Sequence, residues 1–150
     1  MTWNDYSRKE KIAIIKTAIH AACCDYKGSS IKGFVNSFTT NKHSINYSQE
    51  LYLKMLLTRM NADKSYLTEM KTMSSKDMTK IVKQMDSEKR KAVFLIWMSI
   101  LCRCSGSAYY AASISLTDFS NEYESTVRLM ARDMNIDIID NFTMSEYGYL

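Results

Sequence analysis

The chain has no proline and only 4 glycines among its 150 residues. Proline breaks helices, and the two residue types together build the tight turns of β-rich folds. Their scarcity permits long uninterrupted helices and argues against an all-β architecture. Histidine is equally scarce, and 2 imidazoles leave little material for proton transfer near neutral pH. No glycine-rich phosphate loop, paired-carboxylate pattern or nucleophile elbow is present, so neither an enzymatic activity nor a cofactor is expected. The longest apolar run is about half the ~20 residues that a membrane span needs, so no span is expected. The opening MTWNDYSRKEK has charge but no apolar segment before a cleavage site, which points to the cytoplasm. Reducing conditions there would keep the 4 cysteines as thiols.

What is there is ordinary globular material, with 46% hydrophobic and 24% charged residues, enough for one domain with one core. The run at 89–104, KRKAVFLIWMSILCRC, organises the rest: from 92 to 102 every position except Ser99 is apolar. A helix apolar all round must be sheathed by other helices. The expectation is therefore an all-α, single-domain bundle of about seven helices around this buried central one, with a core over about 8–142 and a frayed tail at 143–150.

Helix starts are written locally. Ser7 with Glu10, and Asn46 with Gln49, have capping-box spacing; Ser74 or Ser75, Asp86 or Ser87, and Asp118 or Ser120 can cap further helices. Apolar residues at three- and four-residue spacing give the inward faces: Ile12, Ile15, Ala18, Ile19, Ala22 and Cys23; then Leu51, Met55, Leu56 and Met60; then Tyr66, Leu67, Met70 and Met73; then Met78, Ile81, Val82 and Met85. Short helices are expected at 31–38 and at 137–142. The stretch from 105 to 119 reads as loop with a helical turn, with a short helix at 108–112 or an extended strip at 113–117 as the alternatives.

Segments 11–24 (KIAIIKTAIHAACC) and 91–104 (KAVFLIWMSILCRC) match at both ends and in apolar pattern, and Met60-Asn61-Ala62-Asp63 echoes Met134-Asn135-Ile136-Asp137. Two related halves, an internal pseudo-repeat, would produce such echoes. A long apolar helix, a turn with aspartate and glycine, a second helix and a Met-Asn-Ile-Asp ending resemble the all-helical tellurite-resistance TerB-like family over roughly 9–142. That resemblance implies two helical halves and, in members that bind divalent metal, acidic ligands in the turn and the helix after it. Asp25 and Gly28 occupy a stretched version of the turn. Ser105-Gly106 keeps the glycine and lacks the aspartate, Glu122 and Glu124 fill the glutamate place, and Lys32 and Asn36 stand where the first half would need an acid.

No metal is therefore expected, and the residues that would hold one are Asp25, Glu122 and Glu124 or a soft set of His20, Cys23, Cys24, Cys102 and Cys104. The cysteine spacing argues for buried thiols instead, since adjacent or once-separated cysteines do not share a helical face. Charge is split along the chain, with Lys71, Lys76, Lys80, Lys83, Lys89, Arg90 and Lys91 in one region and Asp118, Glu122, Glu124, Asp133, Asp137, Asp140 and Glu146 in another. Lys76, Lys80 and Lys83 share one helical face and would follow phosphates if the chain bound nucleic acid. Split charge fits a protein partner or self-association better. Tyr109 and Tyr110, aromatics in an apparent loop, are the expected contact residues. The functional expectation is a non-enzymatic interaction or regulatory module; a divalent-metal stress-response protein and a nucleic-acid binder are the alternatives.

Overall fold

The computed structural model describes residues 2–28, 44–103 and 114–141. They contain six α-helices: α1 Arg8–Cys23, α2 Tyr47–Arg59, α3 Lys64–Thr72, α4 Ser75–Lys83, α5 Ser87–Leu101 and α6 Asn121–Met134, with short 3-10 turns at Trp3–Asp5 and Leu116–Asp118. No strand occurs among the described residues, so the fold is an all-helical bundle. The expected helix at 31–38 and the loop at 105–113 lie outside the described residues.

Both capping boxes form as the local sequence dictates. The Ser7 hydroxyl accepts from the Glu10 amide while Glu10 accepts from the Ser7 amide, and Asn46 and Gln49 repeat the exchange. Ser74 caps α4 and Asp86 caps α5. At the other ends, α2 and α6 close alike: Asn61 and Asn135 take the left-handed conformation at φ 55 and 57. The next amides, Ala62 and Ile136, then donate back to Leu57 and Ala131. This is the Schellman closure, for which asparagine is the second choice after glycine. The echoing Met-Asn segments are thus one helix-ending motif used twice.

Helix α5 is as dry as its sequence requires, with Val93 to Leu101 buried without a break and Trp97 wholly enclosed. It is not alone at the centre. Helix α1 buries Ile12, Ala13, Ile14, Ile15, Thr17, Ala18, Ala21, Ala22 and Cys23, which is far more than the one face its spacing predicts, and it packs against α3, α4, α5 and α6. Its alanines let neighbours close in, and its polar members are satisfied inside. The Trp97 indole N–H donates to the Thr17 hydroxyl at 2.9 Å, and that hydroxyl donates to the Ile14 carbonyl at 2.7 Å. A central pair, α1 with α5, replaces the single central helix expected.

Lysines on α1 tie down the ends of its sheath. Lys11 donates to the Met60 carbonyl at the end of α2, and Lys16 donates to the Met70 and Met73 carbonyls at the end of α3. These are terminal carbonyls with no helical partner, which cations satisfy well. Lys89 at the start of α5 reaches Glu10 at 3.1 Å and lies over the Tyr6 ring, which joins the beginnings of the two central helices.

The short helix expected at 137–142 is absent from its described part, residues 137–141. Left-handed Asn135 turns the chain off the axis of α6, and the half-buried Ile138 and Ile139 then pack on the core from non-helical backbone. Asn141 is pinned by its amide donating to the Ser115 hydroxyl at 3.1 Å.

Candidate functional site

The sequence places His20, Cys23 and Cys24 together at the end of α1, and the backbone there does something unexpected. Cys24, not a glycine, takes the left-handed conformation at φ 52, and its amide and that of Asp25 both donate to the His20 carbonyl. This turn folds Asp25 back onto the helix it has just left. His20 Nδ1 and Asp25 Oδ1 lie 2.6 Å apart, each side chain only 14% and 13% exposed. Tyr26 stands edge-on to the imidazole with ring centres 6.0 Å apart.

Beyond the pair, polar groups bind elements to each other. The Tyr26 hydroxyl donates to Asp133 Oδ2 of α6 at 2.8 Å and meets the Thr79 hydroxyl of α4 at 3.1 Å. Burial and the Asp133 carboxylate push the Tyr26 phenol well above its ordinary value, so it stays protonated as a donor. Gly28, at φ 93, passes close to the same carboxylate.

The expected metal ligands do not gather. Asp25 serves His20, while Glu124 pairs with Arg128 one helical turn away at 3.2 Å. Glu122 borders a shallow surface groove with Cys24, Tyr26 and Lys27. Cys23, Cys24 and Cys102 are buried, and Cys104 lies outside the described residues. Among the described residues no group of three or more histidine, cysteine, aspartate or glutamate side chains is arranged to hold a metal ion. Burial first, then the nearby Asp25 and Cys24, push the Cys23 thiol up to about 11. An activated nucleophile needs the opposite shift.

Lys76, Lys80 and Lys83 are all exposed on α4. The surface hollow beside Lys80 is also lined by Lys9, Glu69 and Asp77, so its charge is mixed rather than uniformly positive. Tyr109 and Tyr110 lie outside the described residues.

The surface feature that sequence periodicity misplaced is on α2. Leu51 and Met55 are expected to face inward with Leu56 and Met60. Instead α2 turns Gln49, Tyr52, Leu53 and Leu56 to the core, where Gln49 donates to the Ile100 carbonyl at 3.1 Å. Arg103 covers the Tyr52 ring at 4.4 Å. Leu51 is 46% exposed, Met55 37% and Tyr47 74%, and with Leu67 of α3 they are the exposed large apolar side chains among the described residues. Positions 47, 51 and 55 are successive four-residue steps, so they form one line along the outer side of α2. Glu50 and Lys54 flank that line, 3.3 Å apart. A helix apolar on two opposite sides is built to be covered on both.

Comparison with protein-family models, with curated proteins and with solved structures finds no match. Residue geometry alone therefore carries the functional reading. No helix among the described residues is long and apolar enough to cross a membrane.

Proposed function

We propose that the chain is a non-enzymatic, cytoplasmic protein-interaction module of TerB-like helical type, and that it offers the outer face of α2 to its partner. The observation that carries this reading is the exposed line of Tyr47, Leu51 and Met55 on a helix whose other side is already packed. Scattered surface apolar residues are normal, whereas three aligned on one helix mark a contact face. Its composition agrees, since tyrosine and methionine are enriched where proteins meet. The raised thiol of Cys23 and the dispersed acids give less support to catalysis or to metal storage. A two-half ancestry belongs to the same reading and is supported by the shared Schellman endings of α2 and α6.

The test is site-specific photocross-linking in intact cells. A photoreactive residue at position 51 is expected to give discrete adducts, and one at the exposed Thr68 of α3 is not. Equal yields at the two positions, or none at 51, would overturn the proposal.

A further inference from the structure

We infer that the partner on this face is a second copy of the chain, docked by antiparallel packing of the two α2 helices about a two-fold axis. The inference rests on the reading of α2 as a contact surface and adds the identity of what covers it. Its first support is charge arrangement. Glu50 and Lys54 lie on the same flank of the apolar line, with side chains 57% and 66% exposed. A two-fold axis normal to both helices keeps that flank on the same side in each copy while reversing chain direction. Glu50 of one copy then meets the partner's Lys54, and Lys54 meets the partner's Glu50, as an isologous contact requires. In a parallel, in-register pair the two-fold axis runs along the helices and carries that flank to opposite sides of the seam, so these charges would not meet.

The second support is steric. An α-helix rises about 1.5 Å per residue. With the axis level with position 52, the sequence along the seam is Tyr47, the partner's Met55, Leu51, the partner's Leu51, Met55 and the partner's Tyr47. These side chains then follow one another at intervals of about 3 Å, each entering the gap between two of the other copy. The same placement brings Glu50 level with the partner's Lys54. It also seats each tyrosine ring beside a methionine sulfur, a favourable pairing. Arg59 projects beyond the seam, and its two copies stay about 21 Å apart along the axis. One helix face is a small contact, at or below the lower end of specific interfaces of about 1,200 Å². The dimer is therefore weak and concentration-dependent.

Sedimentation velocity on the full purified chain, from about 10 μM to about 500 μM, tests this. Wild type is expected to pass from monomer to dimer across the range. Glu50→Lys and Lys54→Glu each place two like-charged pairs across the axis and are expected to weaken association about tenfold, or about 1.4 kcal/mol. The Glu50→Lys/Lys54→Glu double variant restores both pairs and is expected to return to within about threefold of wild type. All three variants alter exposed side chains alone, at positions 50 and 54, and unchanged melting curves check the fold. A wild type that stays monomeric throughout, or a double variant no better than the singles, would overturn self-pairing. Cross-links at position 51 to a different protein, with a monomeric purified chain, would remove the second copy and leave the interaction module standing. No cross-link and no dimer would remove both.

Discussion

Replacing Trp97 by alanine is expected to cost about 3–5 kcal/mol. The indole is wholly buried between α5 and α1, so the change removes the largest enclosed side chain and leaves a cavity among residues already packed. It also deprives the Thr17 hydroxyl of its donor. Against a total stability of roughly 5–15 kcal/mol, that is at least about a fifth of what holds a domain of this size together. Thr17→Val separates the two contributions. It keeps the packing nearly intact but strands the buried indole N–H, for a cost of about 1–3 kcal/mol. Equilibrium urea unfolding of both variants checks the values. A loss below about 1 kcal/mol for Trp97→Ala would mean that the ring is not enclosed as described.

The second large effect is on alkaline stability. The Cys23 thiol is held at about 11 against an ordinary 9.0, chiefly because burial penalises the thiolate. Below pH 9 both folded and unfolded chains keep the proton, and the stabilising contribution is fully present. As pH rises from about 9 to about 11 the unfolded chain ionises while the folded chain does not, so the contribution is lost, by about 2–3 kcal/mol in all. Tyr26, also raised by burial, adds a loss that begins higher, near pH 10. Unfolding curves measured between pH 8 and pH 11 are expected to fall accordingly, with a shallower fall in Cys23→Ala. Identical slopes in the two proteins would assign the alkaline loss elsewhere.

The parts of this fold that could be read in advance are those governed by short-range chemistry. Ser7 with Glu10 and Asn46 with Gln49 cap their helices because serine and asparagine oxygens reach amides three residues on, whatever the rest of the chain does. The dryness of α5 was equally plain, because an unbroken apolar run leaves no side for water. Helix α1 was harder. Its Lys16, Thr17 and His20 look like an outward face, and each is admitted to the interior or its margin by a partner distant in sequence or hidden by a turn. No periodicity argument contains Trp97 when it considers Thr17.

Helix α2 failed for a related reason. Leu51 and Met55 fit an inward line, as do Leu53 and Leu56, and spacing alone cannot say which of two apolar lines meets the core. Gln49 decided it, since a buried amide bonded to the Ile100 carbonyl fixes the rotation of the helix. The candidate site was accordingly half legible. Residue type marks out His20 and Asp25, though as metal ligands with different companions, and spacing alone puts Leu51 and Met55 of the outer line in the core.

At the centre of the molecule α1 and α5 form a dry pair, which leaves the outer surface to meet a partner. The most direct test is the fluorescence of a Trp3→Phe variant, in which Trp97 is the remaining tryptophan of the 2. An enclosed Trp97 gives blue-shifted emission that neither iodide nor acrylamide quenches appreciably until the chain unfolds. Red-shifted emission with ready quenching in the folded protein would contradict that enclosure.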